Sequence, residues 1–243
     1  MKGFFAFALL SVASTVSART FTVRNNCAYT VWCMFTDPNA GSARPNFATG
    51  WEAAPKTQVS FSVPNNWKAG RIWDGSNAIS PPTPGPTLAP VADAMADFNA
   101  PLPAGVPPAS LAEWTLQGAG NLDYYDVSLV DGANIPMAIT TNVNCPVADC
   151  PVDLNANCPA QLKVPGGCKS ACVANLDGNP QDSPNCCSGS HNTPATCPSS
   201  GVQFFSYFKN ACPNAYAYAY DDISATRTCN SGLNADYTLT FCP

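Results

Sequence analysis

The sequence predicts an all-β protein with an antiparallel β-sandwich core, a disulfide-rich and partly helical appended region, and a long Pro/Ala-rich loop. Three observations support this class. Short β-rich runs separated by turn residues recur along the chain, as in sandwiches and barrels. The chain has 13 cysteines, and eleven of them lie at or after Cys145. Such a density in a chain with a hydrophobic leader indicates a disulfide framework.

The first 18 residues resemble a secretory signal peptide. Lys2 supplies the positive charge, residues 4–10 form the apolar run, and the small residues 16–18 precede a cleavage site. The mature domain would then begin at Arg19. The apolar run is too short for a permanent membrane anchor. We therefore expect a secreted protein, located outside the cell or in a cell wall, with no membrane anchor.

The sandwich core is predicted to comprise residues 19–73, 111–144 and 231–243 of the 19–243 domain. Each expected strand is rich in β-branched and aromatic residues and is bounded by Asn, Pro, Asp or Gly. These strands are Phe21–Val23, Tyr29–Trp32, Val59–Val63, Arg71–Trp73, Leu111–Gln117, Tyr124–Val130, Ile135–Ile139 and Asp236–Phe241.

Two other regions have a different composition. Residues 74–110 are rich in Pro and Ala and lack Cys, Lys and Arg, which predicts a loop or linker. Residues 145–230 contain most of the cysteines and are predicted to form the disulfide-rich region. Short helices are expected at 167–176, with two cysteines four positions apart, and at 204–210. Neither helix is long enough to be stable without cross-links.

The charge balance limits the class of partner. Removal of Lys2 with the leader leaves ten basic against sixteen acidic residues, and the net charge changes from −5 to −6. Phosphate backbones and anionic lipid heads repel such a chain, so nucleic acid and membrane surfaces are poor partners. Uncharged polysaccharides remain compatible. We expect no cofactor and no metal site, because paired cysteines do not ligate metals and His191 is the sole histidine.

Several motifs in the same order resemble those of the thaumatin-like protein family. They cover almost the whole mature chain except 74–110. The matching segments are Phe21–Cys27, Gly70–Trp73, Leu111–Leu116, Asp126–Gly132, Cys186–Gly189, Phe208–Pro213, Tyr218–Asp222 and Phe241–Pro243. Members of the family usually carry four further cysteines and a Thr-Gly-Asp-Cys segment after the Gly-Arg-x-Trp strand, which 74–110 replaces here.

The resemblance implies six disulfides and one free thiol. Spacing alone does not give this connectivity. The implied pairs are Cys27–Cys242, Cys145–Cys229, Cys150–Cys212, Cys158–Cys168, Cys172–Cys186 and Cys187–Cys197. Cys33, in an apolar run, is left as a free thiol that we expect to be buried; an intermolecular disulfide is the alternative.

The resemblance also implies an acidic cleft between the sandwich and the disulfide-rich region. The family's arginine and four carboxylates are assigned to Arg44, Glu113, Asp126, Asp131 and Asp221, and Asp221 is exchangeable with Asp222. Crowded carboxylates raise one another's pKa, so one should keep a proton beside an ionised neighbour. Glycoside hydrolysis uses such a pair. We assign proton donation to Glu113 and water activation or charge stabilisation to Asp126 or Asp131, with Arg44 and Asp221 binding substrate.

Asp126 and Asp131 are five positions apart and would face opposite ways on a regular strand. A bulge or a strand end near Gly132 is therefore needed to bring both to one cleft.

Tyrosines offer a second set of carbohydrate contacts, since their rings stack on sugar faces and their hydroxyls bond to sugar hydroxyls. The candidates are Tyr124, Tyr125, Tyr216, Tyr218 and Tyr220. Of these, we select Tyr124 and Tyr218 as substrate contacts. Packing within the core or between layers is the alternative for all five.

The family resemblance leads to β-1,3-glucan, or a related cell-wall polysaccharide, as the expected partner of a monomer with weak endo-β-1,3-glucanase activity. The alternatives are a non-catalytic cell-wall-binding or antifungal defence protein, and an inhibitor of proteases or amylases.

Overall fold

The computed structural model describes residues 18–37, 43–76 and 106–243. The predicted leader up to residue 17 and the central part of the predicted loop lie outside the described residues. The strands, in chain order, are β1 (Ala18–Asn25), β2 (Val31–Thr36), β3 (Gly50–Ala53), β4 (Gln58–Pro64), β5 (Gly70–Asp74), β6 (Leu111–Thr115), β7 (Leu122–Ser128), β8 (Met137–Thr141), β9 (Ala148–Cys150), β10 (Lys163–Val164), β11 (Gly167–Cys168), β12 (Arg227–Asn230) and β13 (Tyr237–Phe241).

Two sheets form the sandwich. One has five strands in the order β4-β1-β13-β8-β9, and the other has six in the order β12-β7-β6-β5-β2-β3. Neighbouring strands are antiparallel except for β1 and β13, the first and last strands, which pair in parallel. The predicted all-β class with a largely antiparallel sandwich core is therefore confirmed.

The core between the sheets follows from the two-residue alternation of the strands. On β1, Phe21 and Val23 are each 1% exposed, whereas their neighbours face solvent or are half-buried. The Phe21 ring lies within 5.6 Å, centroid to centroid, of the rings of Trp67, Trp114 and Tyr237. Aromatic clusters of this kind bury a large apolar area and pack edge to face, which holds the two sheets together.

A buried ion pair also links the sheets. Arg19 on β1 bonds to Asp123 on β7, and both side chains are fully buried. The Asp123 carboxylate accepts further bonds from the hydroxyls of Tyr237 (2.8 Å) and Ser231 (2.7 Å). Because its partners satisfy the carboxylate, the charge is tolerated inside the protein.

Six disulfides connect the described cysteines in the pairs Cys27–Cys242, Cys145–Cys229, Cys150–Cys212, Cys158–Cys168, Cys172–Cys186 and Cys187–Cys197. Cys33 is free and buried on β2. The first pair joins the beginning of the sandwich to its end, and the other five lie within 145–230.

One of the two predicted helices is confirmed and the other is wrong. Helix α1 (Phe205–Ala211) occupies the second predicted position, and a one-turn helix α2 (Asp222–Ala225) follows it. Residues 167–176 instead form the short strand β11 and a series of turns. Cys168 is fixed there by its disulfide and by paired backbone bonds with Ala133, and these constraints override the helical spacing of the cysteines.

Candidate functional site

A row of charged side chains crosses three strands of the six-stranded sheet. In the strand register, Arg71 on β5 lies opposite Glu113 on β6, and Glu113 lies opposite Asp126 on β7. Residues directly opposite each other on antiparallel strands point to the same face. The next residues along these strands, Ile72, Ala112 and Val127, are each 0% exposed in the core; the charged row therefore occupies the outer face.

This outer face forms the floor of a cleft of about 620 Å³. The cleft is also lined by residues from the chain before α2 and from α2 itself. The lining comprises Ala69, Gly70, Arg71, Leu111, Glu113, Trp114, Thr115, Tyr124, Asp126, Ser128, Val130, Asp131, Tyr216, Ala219 and Asp222. Four residues selected from the sequence, namely Glu113, Asp126, Asp131 and Tyr124, thus share one cleft.

The arginine of this cleft is Arg71. Its Nε lies 2.6 Å from Oε1 of Glu113. Arg44 is not among the lining residues; its Nη2 lies 2.5 Å from Oδ1 of Asp37, and its side chain is 60% exposed. Arg71 lies in the cleft because β5 lies beside β6 and places its guanidinium directly against Glu113, whereas Arg44, selected from the sequence, lies outside the lining.

Asp221, selected from the sequence, and its neighbour Asp222 are placed differently. The Asp221 carboxylate is buried and accepts bonds from Lys209 Nζ (2.8 Å), the Ala217 N–H (3.0 Å) and Ser224 Oγ (2.5 Å). It thereby stabilises the start of α2. Asp222 is the one of the two that lines the cleft, and it corresponds to the alternative that the sequence left open.

Asp131 reaches the cleft because β7 ends before it. The strand stops at Ser128, and a turn closed by the Gly132 N–H to the Leu129 carbonyl (2.9 Å) follows. Gly132 has φ +91°, and a Cβ there would lie 2.6 Å from the Cys168 carbonyl oxygen. A side chain at 132 is therefore excluded, and the turn brings Asp131 to the same cleft as Asp126.

Burial and crowding favour protonated carboxyls in this cleft. Burial raises the pKa of Asp126 well above its usual value; the Glu113 and Asp222 charges raise it further, and Arg71 partly opposes them. Oδ1 of Asp126 is buried and has no hydrogen-bond partner among the described residues. Since a buried oxygen without a donor is poorly suited to negative charge, Asp126 is the group best suited to hold a proton.

The other two carboxyls are perturbed in the same direction. Burial raises the pKa of Glu113, Arg71 lowers it, and Asp131 raises it. Burial likewise raises the pKa of Asp131, against the effect of Arg71. Because these groups interact, their protons are lost in steps that belong to the set of acids.

The two selected tyrosines are placed differently. Tyr124 lines the cleft and donates its hydroxyl proton to the Ala119 carbonyl at 3.0 Å. Tyr218 lies outside the cleft lining and packs edge-on against Phe205 at 5.5 Å. Tyr216 lines the cleft instead, although it was not selected from the sequence. The alternation of tyrosines at 216, 218 and 220 was the available signal, but it did not show which of them reaches the cleft.

The described part of the chain shows neither a metal-binding cluster nor a membrane-spanning helix. Within 18–37, 43–76 and 106–243, no group of three or more His, Cys, Asp or Glu side chains is arranged to hold a metal ion. No helix in this part of the chain has both the length and the apolar character needed to cross a membrane.

The fold is a β-sandwich beside a disulfide-rich region, and the lining of its cleft includes Arg71 and the carboxyls of Glu113, Asp126, Asp131 and Asp222. The sequence matches the Thaumatin family over residues 25–243, and the chain therefore belongs to that family.

Individual relatives agree with this assignment. A pathogenesis-related thaumatin-like protein 3.5 of Cryptomeria japonica is 39% identical, with 98% of this chain and 95% of the relative covered. A glucan endo-1,3-beta-glucosidase of Prunus avium is also 39% identical, with 93% and 91% covered. The solved structure of a laminaripentaose-producing β-1,3-glucanase has the same fold, with a TM-score of 0.56 and 11% identity over 93% of this chain and 99% of that one.

Proposed function

We propose that this protein is secreted, binds β-1,3-glucan in the acidic cleft and hydrolyses it slowly as an endo-glucanase. The observation that carries the proposal is the row of Arg71, Glu113 and Asp126 on the cleft floor, together with the buried Oδ1 of Asp126, which has no hydrogen-bond partner within 18–37, 43–76 and 106–243. The Prunus avium relative named as a glucan endo-1,3-beta-glucosidase supports the substrate class. The six disulfides are consistent with an oxidising, extracellular environment.

The contacts favour a different division of roles between the two carboxyls from the one expected from sequence. Glu113 is paired with Arg71, which favours its ionised form, whereas burial and the Glu113 and Asp222 charges raise the pKa of Asp126 well above its usual value. In hydrolysis, Asp126 would transfer its proton to the glycosidic oxygen as the bond to the anomeric carbon breaks. Glu113 or Asp131 would stabilise the positive charge at that carbon or take a proton from the attacking water.

Neutral groups of the lining can bind sugar without charge. The Tyr124 ring offers an apolar face for a pyranose ring, and the hydroxyls of Thr115 and Ser128 lie along the same cleft. A few polar groups on a largely preformed groove are typical of ligand sites. A linear glucan can therefore contact both the aromatic and the acidic parts of the cleft.

Soluble β-1,3-glucan tests the proposal through two measurements, binding by calorimetry and release of reducing ends at pH 3–7. We expect Asp126→Asn to reduce hydrolysis by about 100-fold or more while binding changes only a few-fold. Glu52→Gln is a matched control, because Glu52 is exposed on β3 outside the cleft. Binding without any release of reducing ends would refute the enzymatic part, and absence of binding would refute the whole proposal.

A non-catalytic cell-wall-binding or antifungal role is the second candidate. The Glu113–Arg71 pair favours it, since a carboxylate held at 2.6 Å by a guanidinium is a poorer base and a good fixed contact. This role predicts glucan binding that Asp126→Asn leaves unchanged, with no hydrolysis in the unaltered protein.

A further inference from the structure

The cleft has a floor formed by the six-stranded sheet and a wall formed by Tyr216, Ala219 and Asp222. Tyr216 is bonded to both the floor and the wall. Its N–H donates to the Val127 carbonyl at 2.9 Å, and its carbonyl accepts from the Leu129 N–H at 2.8 Å. Strand β12 pairs only with the first part of β7, from Leu122 to Tyr125. The two bonds of Tyr216 lie on either side of Ser128, so Tyr216 pairs with the end of β7 that β12 leaves unpaired. The backbone of Tyr216 is thus fixed to the strand that carries Asp126.

The side chain of Tyr216 makes the second connection. Its hydroxyl donates to Oδ1 of Asp222 at 2.9 Å and lies 2.5 Å from Oγ1 of Thr226. The phenol hydroxyl has a single proton to donate. Because Tyr216 donates this proton to Asp222, the Thr226 hydroxyl must be the donor in its bond with Tyr216. This chain of bonds connects both ends of α2 to a residue that is itself fixed to β7.

We propose that Tyr216 is a positioning residue whose hydroxyl holds Asp222 at the cleft wall, facing Asp126 across the cleft. This inference deepens the proposed glucan function, and its consequence for hydrolysis rests on that function. Other bonds keep α2 in place without Tyr216, because the Asp221 carboxylate binds Lys209 and the Ser224 hydroxyl, and the Asp221 carbonyl accepts from the Ala225 N–H. Loss of the phenol hydroxyl therefore frees the Asp222 side chain without unfolding α2.

The effect is measurable at Asp126 because Asp222 raises its pKa. The charged and titratable groups that face Asp126 are Glu113 from β6, Arg71 from β5, Asp222 from α2 and Tyr216 from the segment before it. When Asp222 turns to solvent, one of the two negative charges near Asp126 is lost. The pKa of Asp126 then falls, and the proton needed for hydrolysis is lost at a lower pH.

The experiment follows the Asp126 carboxyl by ¹³C NMR during pH titration of the whole protein, without any ligand. We expect Tyr216→Phe and Asp222→Asn each to lower the titration midpoint by about half a unit or more, and the double variant to behave like Asp222→Asn alone. Tyr218→Phe is the matched control, since Tyr218 lies outside the cleft lining and should leave the midpoint unchanged.

The outcomes separate this inference from the glucan proposal. A midpoint lowered by Asp222→Asn but not by Tyr216→Phe would show that Tyr216 does not position Asp222. A midpoint unchanged in both would show that Asp222 does not face Asp126. If both variants lower the midpoint but the protein releases no reducing ends from glucan, the positioning role stands and the catalytic proposal fails. If hydrolysis occurs, the alkaline limb of its pH profile should move to lower pH in Tyr216→Phe.

Discussion

The sandwich and the disulfide-rich region are stabilised in different ways. The sandwich has strands of three to eight residues and an aromatic core, and the Cys27–Cys242 disulfide joins its two ends. Residues 145–230 contain strands of two to four residues, helices of seven and four, and five disulfides. Short elements bury too little apolar surface to be stable alone, so cross-links replace the core. The cleft lies where the two meet: a sheet supplies its floor, and a cross-linked segment supplies its wall.

The largest expected effect comes from opening the link between the ends of the sandwich. The double variant Cys27→Ala and Cys242→Ala removes a cross-link over 215 residues, which corresponds to about 5 kcal/mol of lost stability in the chain-entropy treatment. The matched pair Cys158→Ala and Cys168→Ala opens a loop of 10 residues and should cost about 3 kcal/mol. Urea unfolding without reductant measures both. If the local pair costs more than the long-range pair, loop length does not govern the contribution of these bonds.

The next prediction compares the loss of stability when a buried carboxylate of the sandwich and an exposed carboxylate of the disulfide-rich region are removed. Asp123→Ala leaves the buried guanidinium of Arg19 without its partner and should cost about 3–5 kcal/mol. Asp177→Ala removes the hydrogen bonds that the Asp177 carboxylate accepts from Ser183 and Asn185 and should cost about 1 kcal/mol. Chemical denaturation at pH 7 compares the two variants. Equal losses would mean that the Arg19–Asp123 pair contributes no more than a surface contact.

The sequence predicted the sandwich better than the region beside it. Strands such as β13 alternate apolar and polar residues, and their burial follows that pattern, as it does at Phe21 and Val23 of β1. The four-residue spacing of Cys168 and Cys172 predicted a helix at 167–176. This spacing carries no information about the disulfides to Cys158 and Cys186 or about the pairing of Cys168 with Ala133. Long-range cross-links decide the conformation there, and they cannot be derived from a short window of sequence.

The same limit applies to the site. The family resemblance assigned Glu113 and Asp126 to one cleft, and both line it. The resemblance selected Arg44, whereas Arg71 lies against Glu113 because β5 lies beside β6, and this strand order cannot be derived from a local motif. Asp221 and Asp222 are adjacent in sequence, and only the bonds of Asp221 to Lys209 and Ser224 show which one is internal.

A smaller effect is expected when stability is measured as a function of pH. The change in stability should have opposite signs for a carboxyl of the sandwich and for a carboxyl of the disulfide-rich region. The pKa of Asp126 is raised in the folded protein, so its contribution to stability decreases as the pH rises from the ordinary carboxyl value through the raised value. Asp126→Asn should therefore increase the stability of the folded protein at pH 7, because the neutral amide does not carry the buried negative charge. The difference should disappear below about pH 4.

Asp182 in the cross-linked region provides the opposite case. Bonds from Ser190 lower the pKa of its carboxyl, so its contribution is present above the ordinary carboxyl value and is lost as the pH falls through the lowered value. Asp182→Asn should reduce stability at pH 7 and have no effect at low pH. Thermal unfolding across pH 2–7 measures both variants, and a change of the same sign in both would contradict the contrast.

The last prediction is that the Cys33 thiol does not react with alkylating reagents in the folded protein. The thiol is 0% exposed on β2, and burial, with a further contribution from Asp74, raises its pKa. Because the thiolate is the reactive form, iodoacetamide should not modify the native protein. In urea without reductant, one thiol per chain should react, since the other twelve cysteines are paired. Intact-mass measurement distinguishes the outcomes: labelling of the native protein would show that the sandwich opens at β2, and no labelling in urea would show that Cys33 is held in a disulfide between chains.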